Sequence, residues 1–156
     1  MKRYLSIIID LVASYGLLVI YIPICSTLFS ILPFNRAEKF FIIPIIEESL
    51  RFVSILLGGL VQYLFTFMFA INEYIHMMEY TKQKVGMIPD GFEFYRVICI
   101  FAHIGLLYFQ LKMFRKYQRT QRYYYLFVGF FGAITFHELY NYHIGKVLLK
   151  GIMYLF

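Results

Sequence analysis

Six side chains that could do acid–base or polar chemistry stand inside sequence otherwise suited to hydrocarbon: Glu47, Glu48, Glu73, His103, His137 and Asn141. They occur in runs such as FFIIPIIEESLRFVSILL and FVGFFGAITFHELYN. A charge held at the centre of a bilayer costs roughly 2.5–3.5 kcal/mol on insertion scales. Such residues therefore read by default as a functional site facing the interior of a helix bundle. The expected fold is all-α: a polytopic transmembrane helix bundle of about five spans, forming a single domain over residues 1–156, with its site between helices.

Composition supports the membrane reading. The chain is 61% hydrophobic and 21% aromatic, against about 45–50% apolar residues in soluble domains. A net charge of +6 does not imply nucleic acid, because the basic residues cluster in short gaps between apolar runs, as the positive-inside rule requires. The lipid bilayer is the expected partner surface. Cys25 and Cys99 both lie in apolar runs and make neither metal-ligand spacing nor a disulfide framework, so they read as structural thiols. The start, MKRYLSIIIDLV, shares only its basic residues with a signal peptide and is expected to form an uncleaved first span.

Five apolar runs are long enough for spans: about 4–32, 41–57, 60–80, 94–112 and 123–145. Pro23 is a potential kink in the first. Gly58-Gly59 forms a tight turn between the second and third, since glycine accepts positive φ. TKQKVGMIPDG reads as a loop, KMFRKYQRTQR as a basic loop, and VLLKGIMYLF as an interfacial tail or short re-entrant end. Lys2 and Arg3 at the start, with Lys112, Arg115, Lys116, Arg119 and Arg122, put the N-terminus and the 112–122 loop on the cytoplasmic face. A prokaryotic cell membrane is the expected location.

This topology puts the polar residues at one level. Glu47 follows the external start of its span by six residues, and His103 by nine; Glu73 precedes the external end of its span by seven, and His137 by eight. At about 1.5 Å per residue, all four lie roughly 9–14 Å below the external surface. The site is thus expected in the external half of the membrane.

Four constellations carry the chemistry. In Glu47-Glu48-Ser49-Leu50-Arg51, both carboxylates are within helical reach of the guanidinium, so one can act as a base while the other is held in an ion pair; a plain structural pair is the simpler alternative. Glu73, in FMFAINEY, has only His76 within a turn of its own helix, and a helix–helix hydrogen bond would also explain it. His103 shares a helical face with Arg96, seven residues earlier. His137 and Asn141, four apart, share a face as two donors to one oxygen would need, although they would equally glue two helices together.

In order and setting these segments resemble the PrsW family of intramembrane proteases, within the wider group of CAAX-processing endopeptidases and Abi immunity proteins. FIIPIIEESLR is similar to the family's proline-led Glu-Glu-x-x-Lys segment, with Arg51 for lysine. FMFAINEY is similar to Phe-Ala-x-x-Glu-Asn, with Tyr74 in the asparagine position. RVICIFAHI matches the Arg-then-His helix, and GAITFHELYN the closing His-x-x-x-Asn helix. The resemblance implies peptide-bond hydrolysis by an activated water. Glu47 would be the general base, helped by Glu73 or His103, and positioned by Glu48 and Arg51. Arg96 would support His103, while His137 and Asn141 would stabilise the oxyanion. It implies a glutamate-type hydrolase with no cofactor, Zn²⁺ being the alternative since Glu/His clusters suit it. The implied substrate is a single-pass membrane protein resembling an anti-sigma factor.

Three other readings fit parts of the pattern. A proton-coupled transporter also buries carboxylates and histidines, but usually shows an internal repeat. A di-metal bundle would use Glu73-x-x-His76, but a second Glu-x-x-His is missing. A non-catalytic membrane binding or immunity protein of the same fold would keep the same residues.

Overall fold

The computed structural model describes residues 2–31 and 36–144. Among these the chain is all-helical: α1 (Lys2–Ile31), α2 (Arg36–Leu57), α3 (Val61–Val85), α4 (Phe92–Thr120) and α5 (Tyr124–Leu139), followed by a π-helical turn, Tyr140–Ile144. α1 runs on through Pro23. The 112–122 segment, expected as a loop, is mostly the end of α4, and α3 extends past residue 80 to Val85. Basic and polar residues such as Lys112, Arg115 and Lys116 are good helix formers, so loss of hydrophobicity does not end a helix. The expected tail at 147–156 lies outside the described residues.

The turn between α2 and α3 is fixed by two glycines at φ 73° and 59°. A Cβ on Gly59 would lie 3.0 Å from Asp10 Oδ2, which accepts the Leu60 N–H at 3.1 Å. Asp10 thus caps the first turn of α3, where amides lack partners and the helix dipole favours an anion. Ser14, one turn further along α1, reaches the Val61 carbonyl at 3.3 Å.

α2 is the central element and touches all four other helices. It meets α3 and α1 through Leu50, Phe65 and Phe69, packed by Leu17, Leu18, Tyr21 and Ile46, and α4 through Ile55, Leu107 and Leu111. α5 lies on α4 across a seam of small residues: a Cβ on Gly129 would come within 2.9 Å of Met113 Cβ. Helices carrying small residues approach closely in this way. α1 is peripheral, with only 6% of Tyr4–Cys25 buried.

The polarity of the bundle is inverted. Leu56, Phe67, Phe101, Tyr108, Phe127 and Phe131 are exposed, while Glu47, Glu48, Arg51, Arg96, His103, Gln110 and His137 are buried. Among the described residues, two helical stretches, Tyr4–Cys25 and Phe92–Thr120, are long and apolar enough to cross a membrane.

Candidate functional site

Glu47, Glu48 and Arg51 of α2 are buried in the bundle and meet polar residues of α1, α4 and α5, while Glu73 of α3 joins them through its partners on α4. Glu48 is fully buried. Its Oε1 accepts from Arg51 Nη1, one turn along α2, and lies 2.8 Å from His137 Nδ1 on α5. Its Oε2 accepts from Gln110 Nε2 on α4 at 3.1 Å. Arg51 Nη2 lies 2.8 Å from His103 Nδ1. A guanidinium can only donate, so His103 Nδ1 accepts and its proton sits on Nε2. That Nε2–H then donates to Glu73 Oε2 at 2.6 Å. Glu73 Oε1 accepts from Arg96 Nη2, also at 2.6 Å. The same bookkeeping applies to His137. Glu48 is already accepting from Arg51 and Gln110, so His137 Nδ1 donates to it and Nε2 is left to face Glu47.

Glu47 is held differently. Tyr21 Oη on α1 donates to Glu47 Oε1 at 2.9 Å. Its Oε2 stands 3.5 Å from His137 Nε2, longer than a normal hydrogen bond. Rings close the site: Phe69 lies edge-on to His103 at 5.6 Å and to Tyr21 at 5.1 Å, and the His103 and His137 rings are 5.2 Å apart at 82°.

Counting charges isolates one group. Glu48 pairs with Arg51 and Glu73 with Arg96. Glu47 is the third carboxylate, and no guanidinium bonds it. Its titratable neighbours are Tyr21, bonded at 2.9 Å, and His137, 3.5 Å away.

Geometry decides two points that the sequence left open and departs from it at a third. Both carboxylates were expected within reach of Arg51, yet Arg51 spends its two terminal nitrogens on Glu48 and His103, and Glu47 turns to Tyr21. Glu73 finds its partners on α4, with Arg96 and His103 binding one oxygen each. Asn141, expected beside His137, is half-buried and makes no side-chain hydrogen bond among the described residues. The chain enters the π-helical turn at Tyr140, and a wider turn breaks the i, i+4 alignment with His137. Glu138 is half-buried and outside the network, and His76 and Glu79 are exposed. Cys99 is buried with Sγ 2.8 Å from Tyr140 Oη, while Cys25 is half-buried.

Two members were missed, Tyr21 and Gln110. Gln110 carried a usable signal: it lies seven residues beyond His103, on the same helical face. Tyr21 carried none, because a tyrosine in a membrane-like run is ordinary.

No family model, no curated protein and no solved structure matches this chain.

One set of donors has the spacing of a metal site. A ligating atom from each of Glu47, His103 and His137 lies within 4.8 Å of the other two. The donor chemistry fits poorly. Both His103 nitrogens are already bonded, and an ion there would sit beside the Arg51 guanidinium.

Proposed function

We propose that this protein is an intramembrane endopeptidase that hydrolyses a peptide bond of a membrane-anchored protein with a glutamate-activated water. The observation that carries the reading is Glu47: a buried carboxylate oriented by Tyr21, bonded by no guanidinium, with a free oxygen 3.5 Å from His137 Nε2. Both atoms can hold one water, since an oxygen about 2.8 Å from each is geometrically allowed. All five helices would span the bilayer, a reading supported by the apolar exterior and the polar interior, with the N-terminus cytoplasmic and the site in the external half.

In the reaction, the water oxygen adds to the scissile carbonyl carbon while Glu47 takes its proton. The carbonyl oxygen becomes an oxyanion, for which the unbonded Asn141 amide is an available donor. The intermediate collapses with cleavage of the C–N bond, and the proton passes to the leaving amine through Glu47 or His137. Glu48, Arg51, Glu73, Arg96 and His103 fix the frame. The substrate would be a single-pass protein entering from the lipid, of the anti-sigma-factor kind.

The test is cleavage of single-pass substrates by purified protein in detergent, for wild type, Glu47→Ala and His137→Ala, each with and without a chelator. Cleavage lost in both variants and kept with chelator supports the glutamate mechanism. Loss with chelator favours the second reading, a divalent ion on Glu47, His103 and His137, suggested by the spacing of their donor atoms. A folded wild type that cleaves nothing points to a binding protein or transporter.

A further inference from the structure

Beneath the catalytic frame lie polar atoms that nothing in the bundle satisfies. Arg51 Nε, Thr66 Oγ1 and Gln110 Oε1 are buried and have no hydrogen-bond partner among the described residues. The three side chains are 0%, 1% and 1% exposed, so neither bulk water nor lipid headgroups reach them. Leaving each dry would cost about 1–3 kcal/mol.

Thr66 is the telling residue. Ser14, Ser49, Thr120 and Thr135 all return their hydroxyls to the carbonyl four residues back in their own helix. Thr66 does not. Its place follows from helix register. α3 and α4 are antiparallel, and Glu73 is bonded to Arg96 and His103. Two turns before Glu73 comes Thr66; two turns after His103 comes Gln110. The two residues therefore lie at one level of the bundle. Gln110 reaches Glu48 through Nε2, beside Arg51, which reaches the same carboxylate through Nη1. The unsatisfied atoms are complementary: a donor in Arg51 Nε–H, an acceptor in Gln110 Oε1, and a hydroxyl that does either. A water molecule has two donors and two acceptors, and buried waters typically make about three hydrogen bonds.

We infer that Arg51, Thr66 and Gln110 bind a buried water molecule beside Glu48. The site stands on burial, register and donor–acceptor complementarity, and does not depend on the hydrolase reading.

The test is radiolytic labelling in ¹⁸O water with mass spectrometry, for wild type, Thr66→Val, Gln110→Met and Thr66→Ser. Phe69 and Leu107, one turn from Thr66 and Gln110, are expected to take up label in wild type and Thr66→Ser, and several-fold less in the other two. No uptake in wild type, or uptake unchanged in Thr66→Val, overturns the water site.

Discussion

Glu47 and Glu48 are neighbours on one helix, both buried, and are held in contrasting ways. Glu48 accepts from Arg51, Gln110 and His137, three partners on three helices. Glu47 has one firm bond, from Tyr21, and one loose approach to His137. A carboxylate bonded at both oxygens by three donors can hold helices together but cannot exchange a proton cheaply. One with a free oxygen contributes less to cohesion and is available to a reacting molecule. On the proposed reading, the pair separates structure from chemistry within two residues.

The contrast can be broken most forcefully at Glu48. Glu48→Ala leaves the Arg51 cation buried and unpaired, which should destabilise the protein by about 3–5 kcal/mol. A large fall in the thermal unfolding midpoint in detergent is expected, and a midpoint near wild type would remove Glu48 from its structural role. Glu47→Gln keeps shape and the Tyr21 contact while deleting the base. Cleavage should drop by about 10²–10⁴-fold with the unfolding midpoint nearly unchanged, and a variant that unfolds early instead would make Glu47 structural as well. Arg96→Gln takes the guanidinium from Glu73, whose side chain is 29% exposed and can be hydrated. A loss of about 1–3 kcal/mol is expected, smaller than at Glu48 and read on the same unfolding curve. The mildest change is Tyr21→Phe. It removes one hydrogen bond worth about 0.5–1.5 kcal/mol and should lower kcat more than it lowers stability.

The helices were legible in the sequence, since five long apolar runs separated by glycine, proline or charge give five helices and the Gly58-Gly59 turn. That Glu47, Glu73, His103 and His137 would meet was legible from their common level alone. Which carboxylate takes which partner was not, because it depends on the rotation of α2 relative to α1 and α4, and rotation leaves no mark in composition. The displacement of Asn141 was hidden for a similar reason: a π-helical turn changes the angular step without changing the residues. The ends of α3 and α4 were missed because helix continues into charged sequence once hydrophobicity has stopped.

Asp10 and Tyr21 make one further point about α1. The first sits at the start of α3 and the second on Glu47, and they are eleven residues apart, about three full turns of helix. Both anchors therefore lie on one side of a helix whose other side is exposed. The stretch between them works as a ruler, with two marks that must coincide with fixed points on the bundle. Composition on the exposed side between the marks is free to drift so long as it remains apolar, but length is not. One residue added or deleted would swing Tyr21 by about 100° away from Glu47 while leaving Asp10 in place. In this segment, natural variation should accumulate as substitutions and almost never as insertions or deletions.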